Sequence, residues 1–88
     1  MSDEYVKLRE QLELQEWPGI FMFKFIVTNT PEKVALVSKL FDDAAEMRMQ
    51  PSKTGKYMSV GAKEMMLDVE SIIDKYKKAS LIDGLIAL

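Results

Sequence analysis

Pro51-Ser52-Lys53-Thr54-Gly55-Lys56-Tyr57-Met58-Ser59-Val60 is the stretch whose reading decides the fold. It reads as the end of one strand, a glycine turn and the start of the next. Gly55 supplies the positive φ that such a turn needs at no steric cost. Lys53, Thr54 and Lys56 fall on the tip, and side-chain alternation puts Tyr57 and Ser59 on one face of the strand that follows. Continuing that alternation over an expected strand 56–64 sends Met58, Val60 and Ala62 to the core and Tyr57, Ser59, Gly61 and Lys63 away from it. On the other side of the turn, residues 46–50 alternate too. Met47 and Met49 share one side and Glu46, Arg48 and Gln50 the other, as in a half-exposed edge strand.

Outward from this hairpin the chain alternates strand and helix. Residues 20–28 are rich in aromatic and β-branched side chains, with Phe21, Phe23, Phe25 and Val27 on one face and Ile20, Met22, Lys24 and Ile26 on the other. Both faces are mainly apolar, which suits a central strand, and Lys24 implies that its own face is only partly covered. Thr28-Asn29-Thr30-Pro31-Glu32 is a strand-to-helix corner in which Thr30 caps, Pro31 takes the first helical position and Glu32 meets the positive end of the dipole. The stripe Val34, Val37, Leu40, Phe41 and Ala44 predicts a helix to Phe41 or Asp43. A second helix is expected over residues 67–79, with Val69, Ile72, Ile73 and Tyr76 on one face. Asp68 and Glu70 fall in its first turn, and Lys75, Lys77 and Lys78 in its last, matching the macrodipole. Residues 80–88 read as a final strand. At the N-terminus, Tyr5, Leu8 and Leu12 mark a short amphipathic helix within 3–14, with Asp3 and Glu4 suited to its start. Trp17-Pro18-Gly19 ends it. This helix either covers part of the domain or serves as a partner-binding arm anchored by Trp17.

The order after the leading helix is therefore β-α-β-β-α-β. With right-handed crossovers this is an α+β ferredoxin-like sandwich: a four-stranded antiparallel sheet in the order 4-1-3-2 with two helices on one face. Residues 1–17 form the N-terminal segment and 18–88 the domain.

Composition narrows the function. The 88 residues include no cysteine and no histidine, which removes disulfides, thiolate zinc sites, cysteine nucleophiles and histidine bases. A net charge of -2 argues against non-specific binding to nucleic acid. The acidic opening Met1-Ser2-Asp3-Glu4 lacks the basic start and apolar core of a secretory signal. The longest apolar-rich run, residues 20–27, is broken by Lys24 and too short to cross a bilayer. A cytoplasmic protein without membrane contact is expected.

Two short motifs fail on inspection. Lys53-Thr54-Gly55 echoes one element of the serine β-lactamase signature, but its Ser-x-x-Lys and Ser-Asp-Asn companions are missing. Gly55-Lys56 resembles the end of a P-loop, but Tyr57 stands where Ser/Thr would bind magnesium and Gln50 where the first glycine belongs. The carboxylate pairs Asp42-Asp43 and Asp68/Glu70 read as helix-end and surface charge. The numerous methionines, among them Met22, Met47, Met49, Met58, Met65 and Met66, fill the core or form an adaptable binding surface. An RNA-recognition reading requires several aromatics on the central strands, and the third strand offers Tyr57 alone. The polar-basic cluster is the distinctive feature that is left. Turn N–H groups with Ser52, Thr54, Lys53 and Lys56 could cradle an anion.

The combination Pro51-Ser52-Lys53, Gly55-Lys56-Tyr57 and Ser59-Val60 resembles the hallmark hairpin of the YbeD-like family of small bacterial proteins of uncharacterised function. The similarity runs from about Leu12 to Leu88 and includes Pro18 before an aromatic first strand and Ile82-Asp83 opening the last one. Thr54 and the longer N-terminal segment depart from the pattern. The resemblance implies a ferredoxin-like fold similar to the regulatory ACT domains, and no catalytic residues. An ACT-like site would lie near the corner 28–32, often at a dimer interface. The glycine that ACT domains favour after the proline is Glu32 here, which argues against amino-acid binding.

The expectation is thus a non-enzymatic regulatory or interaction module without cofactor or metal. It would bind an unidentified protein partner or a small anionic ligand through the open sheet face and the hairpin, at Lys24, Ser52, Lys53, Thr54, Gly55, Lys56, Tyr57, Ser59 and Lys63. A sensor of an anionic metabolite or amino acid is the alternative, and an RNA-binding module the third. The apolar final strand invites edge pairing into a homodimer.

Overall fold

The computed structural model describes residues 4–88. Three helices and four strands follow one another as α1 (Val6–Glu13), β1 (Gly19–Thr28), α2 (Pro31–Ser38), β2 (Glu46–Pro51), β3 (Tyr57–Met66), α3 (Val69–Ala79) and β4 (Ile86–Ala87). The sheet order is β2-β3-β1-β4, and every neighbouring pair is antiparallel. This is the ferredoxin-like arrangement that the element order predicted. Asp3, expected at the start of the leading helix, lies outside the described residues.

β1 and β3 are paired along their whole length, from Gly19 opposite Met66 to Thr28 opposite Tyr57. That register puts Phe23, Phe25 and Val27 beside Val60 and Ala62 beneath the helices, all essentially inaccessible. Val37 of α2, Phe41, Ile72, Ile73 and Ala79 of α3, and Ile82 close over them. The rings of Phe21, Phe23, Phe25, Phe41 and Tyr76 form one aromatic cluster, with centroids of contacting pairs 4.8–6.4 Å apart. Burial among them raises the pKa of the Tyr76 phenol above its ordinary value.

The leading helix docks. α1 packs against α3, buries Leu12 in the core and pairs Arg9 with Glu70. Trp17, half-buried, donates its indole N–H to the Leu12 carbonyl at 2.8 Å and leans on Phe21. Its anchoring contacts are therefore made within the chain.

Several element ends differ from expectation, each for a local reason. Thr30 caps α2 and Pro31 opens it, as expected, but the helix stops at Ser38 rather than at Phe41 or Asp43. Ser38 Oγ donates back to the Val34 carbonyl, and the next N–H groups of Leu40 and Phe41 bond three residues back instead of four. This tighter turn swings Phe41 into the core. α3 begins at Val69, because Asp68 is not in the first turn but caps it, exchanging bonds with Ser71 in a capping box. β3 runs two residues past Glu64 to Met66.

The largest departure is the final strand, which shrinks from residues 80–88 to Ile86–Ala87. Residues 81, 82 and 85 make three-residue turn bonds, and Gly84 adopts φ 78°, so the chain coils before it reaches β1. Ile82 uses that coil to enter the core.

Gly55 adopts φ 76° at the hairpin tip, and an added Cβ would meet nothing within 4 Å. The cost of a side chain there is purely conformational. Gly55→Ala should therefore lower stability by about 1 kcal/mol, and Gly55→Asn by less, since asparagine tolerates the left-handed region. Urea unfolding midpoints of the variants check the order.

Candidate functional site on the open sheet face

The helices cover one face of the sheet and leave the other open. Because directly opposed residues share a face, the ladder generates rows across it. Ile86, Ile26, Ser59 and Gln50 form one row, and Lys24, Gly61 and Arg48 the next. Met22, Lys63 and Glu46 follow, then Ile20 beside Met65. Apolar side chains on this face are unusually accessible: Ile20 62%, Met22 57%, Met65 59% and Ile86 54%. Lys24, Arg48 and Lys63 are exposed, and no salt bridge holds any of them among the described residues. Glu46 is the one carboxylate in these rows, so the face is locally basic in a chain of net charge -2.

Tyr57 and Ser59 point outward from the central strand β3, as the alternation required. With Ile26, Gln50, Pro51, Ser52 and Ile86 they line an open groove of about 420 Å³. A second hollow of about 520 Å³ adjoins it over Gly61, bordered by Lys24, Arg48, Gln50 and Ser59. Lys63 lies farther along, in a smaller hollow with Met22, Glu46 and Arg48. Of the residues singled out from the sequence, the structure thus brings Lys24, Ser52, Tyr57, Ser59 and Lys63 onto or beside the open face. Lys53, Thr54, Gly55 and Lys56 border none of these hollows.

The hairpin tip is occupied with its own folding. Ser52 N–H donates to Tyr57 O at 2.9 Å, Gly55 N–H to Ser52 O at 2.9 Å, and Tyr57 N–H to the Ser52 hydroxyl at 3.1 Å. The amides of Ser52, Gly55 and Tyr57 are thus engaged within the hairpin itself. Asn29 fastens the tip to the β1–α2 corner, donating its backbone N–H to Lys56 O and its side-chain amide to Gly55 O, each at 2.9 Å. Lys56 Nζ lies 5.5 Å from the Tyr57 ring centroid.

Sequence reasoning missed Arg48, Gln50 and Gly61 as parts of the surface. The signal was present, because Arg48 and Gln50 were assigned to the outward side of β2 and Gly61 to that of β3. What was missing was the pairing register that sets them beside Lys24 and Ser59. A second cluster was missed altogether. Glu64 is buried under the helices, where Oε1 meets Lys75 Nζ at 2.8 Å and Oε2 accepts the Asp42 N–H at 3.2 Å. Lys75 Nζ also donates to Leu40 O at 2.5 Å and lies 5.0 Å from the Phe41 ring centroid. Lys75 is therefore not a solvated charge at the helix end but a latch joining α3, β3 and the α2–β2 loop.

No group of three or more metal-ligating side chains assembles among the described residues, and no helix among them is long and apolar enough to cross a membrane. Residues 12–85 match a family described as a protein of unknown function (DUF493). Neither the curated proteins nor the solved structures yield a match.

Proposed function

We propose, from the premise that the chain belongs to the DUF493 family of YbeD-like proteins, that it is a non-catalytic interaction module whose open sheet face docks a partner protein. The observation that carries this reading is the face itself, where exposed apolar side chains at Ile20, Met22, Met65 and Ile86 alternate with the cations Lys24, Arg48 and Lys63, which no salt bridge holds among the described residues. Accessible apolar surface of this extent, interleaved with polar groups, is what interaction sites look like. The hollows are shallow and open to solvent, whereas small-molecule sites bury most of their ligand, so a macromolecular partner fits better. Pairing through β4 would offer only two ladder residues, which favours the face over that edge.

Affinity capture with the wild-type protein should recover a partner that is lost on Met22→Asp or Tyr57→Ala and kept on Lys77→Glu, a change on the helical layer. Equal recovery by all variants would refute docking on the face.

A further inference from the structure

The two adjoining hollows of the open face differ in chemistry. The groove between Ile26, Pro51, Tyr57 and Ile86 is apolar. The hollow beside it is centred on Gly61, with a cation on each side, because Lys24, Gly61 and Arg48 occupy one row across β1, β3 and β2. Nothing in the backbone demands glycine at this position. A Cβ there would come no closer than 3.9 Å to any neighbour, and φ is not in the left-handed region. The missing side chain therefore leaves a notch, roughly 10 Å wide between the flanking backbones at two strand spacings. Neither cation has a salt-bridge partner among the described residues.

We infer that this notch receives a carboxylate, carried by an extended segment of the partner whose apolar side chain two positions away fills the neighbouring groove; the inference rests on the docking reading above. The spacing supports it. The row of Ile86, Ile26 and Ser59 under the groove and the row of Lys24, Gly61 and Arg48 at the notch lie two residues apart along β3, about 7 Å, which is also the same-face repeat of an extended peptide. Arg48 can bind a carboxylate through two parallel N–H···O bonds, and Lys24 adds a point charge from the opposite side. A peptide fits better than RNA, because Tyr57 is the one aromatic ring among the described residues of this face, where base stacking needs several.

Selection from a random linear-peptide library tests this directly. The wild-type protein should enrich Asp or Glu two positions from a large apolar residue. Lys24→Glu/Arg48→Glu, at two exposed positions, should enrich Lys or Arg at that spacing instead. For one enriched acidic peptide, Gly61→Thr should weaken binding about tenfold by filling the notch. Circular dichroism would verify that each variant is folded. Peptides that require Tyr57 but show no acidic preference, or the same preference after charge reversal, would overturn the notch and leave the docking face standing. No enrichment over an Ile26→Asp face variant would overturn the docking reading with it. Single-stranded RNA bound by the wild type and lost on charge reversal, with no peptide enriched, would assign the face to nucleic acid and overturn both.

Discussion

Phe23→Ala is expected to destabilise the domain by about 4 kcal/mol, a large share of the roughly 5–15 kcal/mol that folded domains carry. Phe23 is fully inaccessible, and its ring touches those of Phe21, Phe25, Phe41 and Tyr76. Truncation removes its burial energy and opens a cavity walled by β1, α3 and the turn after α2. Those walls are held by the fully paired β1–β3 ladder and by the Glu64–Lys75 latch, so they have little freedom to collapse. The control is on the same strand. Ile20→Ala deletes a comparable apolar side chain from a position 62% exposed and should change stability by less than about 0.5 kcal/mol. Urea unfolding of the pair measures the contrast between the two faces of one strand. Similar losses at both positions would mean that the faces are assigned wrongly.

The second large effect concerns a charge. Lys75→Met should cost about 3 kcal/mol, because it strands Glu64 under the helices without its cation. Glu64 retains 8% side-chain exposure and Lys75 15%, so water cannot readily replace the lost partner. The Asp42 N–H still donates to the carboxylate, but the Leu40 carbonyl loses its donor. Removing both charges is a different perturbation. Glu64→Leu/Lys75→Met replaces an ion pair by apolar side chains of similar length and leaves only the Asp42 N–H and the Leu40 carbonyl without partners. It should fall within about 2 kcal/mol of the wild type, recovering part of the loss. A thermodynamic cycle over the two single variants and the double one reads the coupling. A double variant as unstable as the sum of the singles would show that the two groups do not act as a pair.

The sequence carried more of this than was read from it. Glu64 belongs to the inward set Met58, Val60, Ala62 and Met66 by simple alternation, and Lys75 falls one turn after Ile72 on the stripe that faces the sheet. Period alone thus aimed both at the core, yet charge suggested solvent, since carboxylates and ammonium groups are rarely buried unless paired. The pairing joins residues on different elements, so neither local pattern could reveal it. The retreat of the final strand has a similar cause. Leu81, Ile82, Leu85 and Ile86 suit a strand as well as any residues do, but local turn bonds at 81, 82 and 85 win because they deliver Ile82 to a place in the core that exists only where α3 lies on the sheet.

By itself the sequence determined the layers. Alternation over β1 and β3, the cap at Thr30 and Pro31, the turn at Gly55 and the apolar stripe of α3 are local rules, and together they leave one economical topology and one uncovered face. Only the tertiary structure decided which residues meet on that face. The ladder register brings Lys24, Gly61 and Arg48, from three separate strands, into a single row, and shifting any strand by one residue would turn its outward set inward. The apolar groove beside that row likewise draws on all four strands, from Ile26, Pro51, Tyr57 and Ile86. Neighbourhood of this kind is a property of strand pairing, and no window along the chain contains it.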